Sequence, residues 1–97
     1  MHVLLLYDYV EAILERRAPY REEHLAHWHA AIGRGELLLA GTLGDPVNGA
    51  AFLFRGEARG AVEALVAADP YVKNGLVTRW QVLDWATAFG PLAQKTG

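Results

Sequence analysis

Apolar residues fall into six segments along the chain, and the spacing within each segment indicates its structure. Short apolar runs or alternation, typical of β-strands, occur in residues 2–9, 36–44, 49–55 and 76–85. Apolar residues three and four positions apart, as on one face of a helix, occur in residues 19–33 and 58–68. The predicted order is strand, helix, strand, strand, helix, strand, followed by a tail of residues 86–97.

The first predicted helix has signals at both ends. Pro19 lies in its first turn, Glu22 and Glu23 follow near the positive end of the helix dipole, and Gly35 stops it. Residues 10–18 are ambiguous, since their charges suit a helical turn whereas Pro19 favours a break before it. Three apolar residues at three-and-four spacing make one amphipathic segment to about Gly33, and they are Leu25, Trp28 and Ile32.

The order of elements predicts one α+β domain over residues 1–85 with the ferredoxin-like βαββαβ plait. Two right-handed crossovers place both helices on one face of a four-stranded antiparallel sheet and leave the other face open. Because the first two strands carry leucines on both sides, the open face would expose a larger apolar patch than monomers usually tolerate. We therefore expect a homodimer in which two copies bury their open sheet faces through a two-fold contact.

Composition and charge exclude several classes of function. The net charge of −2 and the pI near 6.0 leave no basic stripe for nucleic acid. The longest apolar runs are far too short to span a membrane, and the N-terminus lacks the pattern of a signal peptide, so a cytoplasmic protein is expected. The chain contains no cysteine and no serine, which removes disulfides and the usual nucleophiles. No glycine-rich phosphate loop follows a strand, so no organic cofactor is expected.

Asp69 stands out at the end of the second predicted helix. It occupies the next inward position of the stripe formed by Val62, Leu65 and Val66, so its carboxylate is expected to point toward the core. Pro70 pushes Asp69 away from helical dihedrals, which also suits Asp69 to cap a short following turn. Both interpretations of this residue stay open from the spacing alone.

A family resemblance connects Asp69 to the first helix. The matching positions are Arg17, His24-Leu25, Gly35, Leu37, Gly41, Asp69-Pro70-Tyr71-Val72 and Gly75. Over roughly residues 1–85 this pattern resembles the YciI-like (YCII-related) family of small dimeric ferredoxin-like proteins. The resemblance implies that His24 and Asp69 form a catalytic pair, and that Arg17 corresponds to the family's arginine before the helix.

The chemistry of such a pair follows from general principles. An aspartate that accepts a hydrogen bond from one ring nitrogen of a histidine fixes the tautomer and aims the other nitrogen at a ligand. General acid-base catalysis of this kind suits elimination, isomerisation or lactone-type chemistry on a small organic acid or aromatic-derived metabolite. Arg17 would anchor the anion, and Tyr7, Asp8 and Tyr71 would complete the wall of the substrate site.

Each of these residues also has a simpler interpretation. Asp69 would serve only as a helix cap, His24 as a partly buried polar residue, and Arg17 as a solvated charge. The whole protein would then be a non-catalytic metabolite-binding or regulatory dimer. The tryptophans are most simply placed in the core or the dimer interface, with pocket lining as a second possibility, and they are Trp28, Trp80 and Trp85.

A metal site is the remaining alternative for the histidines of the first helix. His24, His27 and His29 lie close together in the sequence. On a helix, however, positions 27 and 29 point about 200° apart, so the three side chains cannot converge on one ion. No metal site is therefore predicted.

Overall fold

The computed structural model describes residues 1–94, and their secondary structure follows the predicted order. The strands are β1 (His2–Tyr9), β2 (Leu37–Leu43), β3 (Gly49–Arg55) and β4 (Val77–Trp85). The helices are α1 (Ile13–Arg16), α2 (Arg21–Gly33), α3 (Val62–Ala68) and α4 (Pro70–Lys73). A 3₁₀ turn, Ala18–Tyr20, precedes α2, and a 3₁₀ segment, Gly56–Ala61, precedes α3. The ambiguous stretch before Pro19 thus contains the one-turn helix α1.

The strands form a sheet in the order β2-β3-β1-β4, and every neighbouring pair is antiparallel. The segment containing α2 connects β1 to β2, and the segment containing α3 connects β3 to β4. This topology confirms the α+β ferredoxin-like plait that the sequence predicts. No helix within residues 1–94 has the length and apolar character needed to cross a bilayer.

The hydrophobic core lies on one side of the sheet, between the strands and helices α2 and α3. Alternate residues of β1 point into it, namely Val3, Leu5 and Tyr7, and pack against Trp28 and Val66. The other face of the sheet, called the open face below, carries a second set of apolar side chains. They are Leu4, Leu6, Leu39, Leu43, Ala51, Leu53, Leu83 and Trp85.

The buried side of α2 differs from the predicted stripe. His24, Trp28 and Ala31 face the core, whereas Leu25 is 39% exposed and Ile32 is 49% exposed. The reason is that Leu25 and Ile32 line a cavity between α2 and the sheet instead of filling the core. Of the three residues of the apolar stripe, only Trp28 is buried, and a histidine takes one of the inward positions.

The described part of the tail folds against one end of the open face. His2 is only 1% exposed, although it sits on this face, because the tail covers it. Its Nδ1 lies 2.7 Å from the Thr87 hydroxyl, and the amino group of Met1 donates a hydrogen bond to Gln94 Oε1 at 3.1 Å. Residues 95–97 of the predicted tail lie outside the described residues.

Gly49 offers a test of how closely β1 and β3 are packed. A Cβ built on Gly49 would collide with the backbone carbonyl oxygen of Tyr7, whereas a Cβ on Gly33 meets no atom within 4 Å. We expect Gly49→Ala to lower the free energy of unfolding by about 1–3 kcal/mol, because β1 and β3 must separate. Gly33→Ala, the control, should leave stability unchanged or raise it by up to about 1 kcal/mol.

Urea denaturation of both variants and the wild-type protein measures these differences. Equal stability of the Gly49→Ala and wild-type proteins would contradict the close approach of the two strands.

Candidate active site

Asp69 occupies the junction between α3 and α4. Its backbone is extended (φ −68°, ψ 123°), which ends α3, and Pro70 then begins α4. The backbone N–H of Tyr71 donates a hydrogen bond to Asp69 Oδ1 at 3.0 Å. Asp69 is therefore the N-cap of α4, as one of the two interpretations of the sequence requires.

The same carboxylate oxygen also contacts the histidine of α2. His24 Nδ1 lies 2.7 Å from Asp69 Oδ1, and both side chains are buried. Because a carboxylate can only accept, Nδ1 carries the hydrogen of this bond. The two interpretations of Asp69 are thus compatible: one oxygen caps a helix and binds a histidine across the fold.

The second carboxylate oxygen is occupied by two further donors. Tyr7 in β1 donates its hydroxyl hydrogen to Asp69 Oδ2 at 2.8 Å, and Trp28 Nε1 donates to the same oxygen at 3.1 Å. Asp69 itself is completely buried. Donors from a strand, a long helix and a backbone turn therefore replace the water that this carboxylate has lost.

These contacts determine the ionisation of the cluster. Burial alone would raise the pKa of Asp69, but the hydrogen bond and charge of His24, together with the hydrogen bonds from Tyr7 and the Tyr71 backbone, hold that pKa below its usual value. Burial and the adjacent Asp69 charge raise the pKa of Tyr7 well above its ordinary range. Asp69 is therefore a carboxylate and Tyr7 a neutral donor at physiological pH.

His24 is also held by the ring of Tyr71. The two rings are stacked, with centroids 3.6 Å apart and planes 4° from parallel. Because Nδ1 is bound to Asp69, the other ring nitrogen, Nε2, is the one left to meet a ligand. The Asp-Pro-Tyr motif thus supports the imidazole twice: Asp69 accepts the Nδ1 hydrogen bond, and the ring of Tyr71 stacks on the imidazole.

A cavity of about 260 Å³ lies beside His24, between α2 and the sheet. Trp28, Phe52 and Tyr71 contribute aromatic walls, while Leu25 and Ile32 border the cavity on the helix. The polar side chains of the lining are Tyr9, Arg17, Arg21, His24, His29 and Thr42. This mixture of aromatic, aliphatic and polar side chains suits a small molecule with polar substituents.

Two arginines give this cavity a positive character. Arg17 is half-buried and Arg21 is exposed, and neither forms an ion pair with an acidic side chain within residues 1–94. Burial raises the pKa of Tyr9 and of Tyr71, although the charge of Arg17 opposes both shifts. Both tyrosines are therefore neutral hydrogen-bond donors beside the arginines, an arrangement that favours an anionic ligand.

Some of the residues that the sequence predicts for the site line the cavity, and others do not. Arg17 and Tyr71 line the cavity with His24, whereas Tyr7 donates its hydroxyl hydrogen to Asp69 and is not part of the lining. Asp8 lies elsewhere, because alternation along β1 turns its side chain to the open face. The prediction that Tyr7 and Asp8 form the substrate wall is therefore corrected: Tyr7 supports Asp69, and Asp8 is remote.

Sequence reasoning missed several residues of the site. Trp28 packs in the core and also lines the cavity, which are two of the placements that the sequence allows, but its hydrogen bond to Asp69 is not predicted. Arg21 and Trp28 lie three positions before and four after His24, so the helical periodicity could have placed them on the same side. Tyr9 follows Tyr7 by two residues in the strand, but the strand pairing shifts between Asp8 and Tyr9. Simple alternation along the strand therefore does not predict where Tyr9 lies.

The other histidines of α2 have separate surroundings. His27 Nε2 lies 2.7 Å from the carbonyl oxygen of Leu65 in α3, while His29 borders the cavity. Among residues 1–94, no three His, Asp or Glu side chains are grouped in a way that could hold a metal ion.

The lowered pKa of Asp69 predicts a specific dependence of stability on pH. A carboxyl group whose folded pKa lies below its unfolded value stabilises the fold above the unfolded pKa of 3.8, and this contribution is lost as pH falls through the folded pKa. At pH 7, Asp69→Asn should cost about 1–3 kcal/mol, because an amide cannot accept from all these donors. Below about pH 4 the difference from wild type should shrink.

Urea denaturation of the two proteins between pH 2 and pH 7 tests this expectation. A difference in unfolding free energy that stays constant over this range would show that the charge of Asp69 does not stabilise the fold.

Comparison with known proteins gives a solved structure of similar fold and a family match. No curated protein matches the chain in sequence. A solved structure with a similar fold is 5-chloro-2-hydroxyhydroquinone dehydrochlorinase (TftG) from Burkholderia phenoliruptrix AC1100, in complex with 2,5-dihydroxybenzoquinone. The two chains superpose with a TM-score of 0.73 and 21% sequence identity, over 91% of this chain and 96% of that chain. At this identity the similarity concerns the fold.

The family model of the YCII-related domain gives a match in sequence. It covers residues 1–86, which include all the strands and helices described above. The chain therefore belongs to the YCII-related domain family.

Proposed function

We propose that the chain is a small-molecule enzyme in which His24, held by Asp69, transfers protons to and from a bound substrate. The observation that carries this proposal is the orientation of the imidazole: Nδ1 is bound to a buried carboxylate, and the ring borders the cavity. This is the geometry in which a histidine acts as a general base and then as a general acid. The reaction would be an elimination, an isomerisation or a lactone-type reaction.

The proposed reaction begins with removal of a proton from the substrate by His24 Nε2. The negative charge left on the substrate is stabilised by Arg17 and Arg21 and by the hydroxyl groups of Tyr9 and Tyr71. The imidazolium, stabilised by Asp69, then returns its proton to another atom of the substrate or to the departing group. A positioned imidazole of this kind accelerates a reaction by about a hundredfold to ten-thousandfold.

The cavity also indicates the class of substrate. Its aromatic walls favour a planar ring, and its arginines favour a negative charge, as on a small organic acid or a hydroxylated aromatic-derived metabolite. The structural neighbour named above is a dehydrochlorinase seen with 2,5-dihydroxybenzoquinone, a planar oxygenated ring. This neighbour supports an elimination on a molecule of that shape as the first reaction to test.

We also propose that the chain forms a homodimer through its open face. Leu39 is 62% exposed there, and Leu43, Leu83 and Trp85 are each more than two-fifths exposed. Neighbouring apolar side chains on one face form a patch of the kind that marks a protein interface. A two-fold contact with a second copy would cover both open faces at once.

The proposed catalysis is tested with a panel of small organic acids and hydroxylated ring compounds. Ligands are found by the rise in melting temperature that they cause, and each is then followed spectroscopically for turnover. For a compound that the wild-type protein converts, we expect His24→Gln to lower kcat at least about a hundredfold while the ligand still raises the melting temperature.

Two neighbouring arginines provide a matched control for binding. Arg17→Gln should weaken binding, because it removes a charge from the cavity, whereas Arg16→Gln should not, because Arg16 is exposed in α1 and does not line the cavity. A His24→Gln protein with wild-type kcat would refute the role of His24. Binding without turnover of any compound would instead indicate a non-catalytic metabolite-binding or regulatory module.

A further inference from the structure

The tail loop, residues 86–94, lies almost wholly beyond the family match, which ends at residue 86. Both ends of this loop are bound to the N-terminus: Thr87 contacts His2, and Gln94 accepts from Met1. The two ends are also joined to each other, because the backbone N–H of Gln94 donates to the Thr87 hydroxyl at 3.0 Å. The tail loop is therefore a closed, anchored structure.

The tip of the tail loop carries an aromatic side chain that is almost fully exposed to solvent. Phe89 is 96% exposed, more than any other large hydrophobic residue described. Gly90 follows it with φ +106°, a conformation that side chains other than glycine rarely adopt, and Ala93 N–H donates to the Gly90 carbonyl at 3.1 Å. The chain thus reverses directly after Phe89, and hydrogen bonds of Thr87 and Gly90 flank the exposed ring.

A groove that could receive such a ring lies on the open face. Its volume is about 480 Å³, and none of the side chains that line it carries a charge among the residues described. Leu53 and Trp85 line both this groove and the space beneath the tail loop, so the loop and the groove adjoin. Phe89 does not line the groove of its own chain.

We propose that Phe89 of each copy inserts into the open-face groove of a second copy. This inference rests on the homodimer proposed above and adds the element that holds it. One molecule carries both the projecting ring and an apolar groove on the same face, and a two-fold axis pairs each ring with the opposite groove. A rigid aromatic side chain that fills an apolar pocket is the usual centre of binding energy in an interface.

Cross-linking tests the contact directly, since the chain has no cysteine of its own. The variants Phe89→Cys and Leu39→Cys are mixed, allowed to exchange subunits and treated with a short bismaleimide. We expect peptides that join positions 89 and 39 between chains. A mixture of Phe89→Cys with Leu14→Cys should give no such product, because Leu14 is exposed on α1 and does not line the groove.

Sedimentation equilibrium measures how much the Phe89 contact contributes to the affinity of the dimer. Phe89→Ala should raise the dissociation constant of the dimer about tenfold or more, Phe89→Leu should restore part of the affinity, and Leu14→Ala should have no effect. A Phe89→Ala dimer as tight as wild type, with no 89–39 cross-link, would overturn the role of Phe89 while leaving the homodimer intact. A wild-type chain that is monomeric at micromolar concentration would refute both.

Discussion

The buried carboxylate of Asp69 is the group on which the rest of the structure depends. A charge without access to water is tolerated only where hydrogen bonds replace its hydration, and Asp69 receives them from Tyr7, His24, Trp28 and the Tyr71 backbone. These donors come from β1, α2 and α4, so the carboxylate joins one of the two central strands of the sheet to the helices packed on it. The same contacts that satisfy the charge also set the orientation of the catalytic candidate, His24.

This arrangement separates two tasks within one small cluster. Tyr7 and Trp28 donate to Asp69 Oδ2 and hold the carboxylate in place, while Oδ1 accepts from His24 and caps α4. Because both oxygens of the carboxylate are bound by donors of the protein, the proposed mechanism gives Asp69 the role of positioning the imidazole and not of contacting the substrate. The groups available to a ligand in the cavity are the other ring nitrogen of His24 and the surrounding arginines and tyrosines.

Much of the fold follows from the sequence, because strand and helix periods are local properties. The six main segments, the plait topology and the inward position of Asp69 all rest on spacing that the chain displays directly. The details that spacing could not supply depend on tertiary contacts. Leu25 borders a cavity and His24 takes the buried position, because a partner carboxylate from a distant segment compensates the polar ring. The hydrogen bond from Trp28 to Asp69 likewise does not follow from spacing, because its two partners come from different elements.

The tautomer of His24 tests the central claim most directly, since the account requires Nδ1 to carry the hydrogen that Asp69 accepts. The measurement is the pair of ring ¹⁵N chemical shifts of His24 at a pH where the imidazole is neutral, in the wild-type and Asp69→Asn proteins. We predict a protonated Nδ1 and an unprotonated Nε2 in the wild-type protein, and a mixture of tautomers in Asp69→Asn. A wild-type ring protonated at Nε2, or shifts unchanged by Asp69→Asn, would contradict the account.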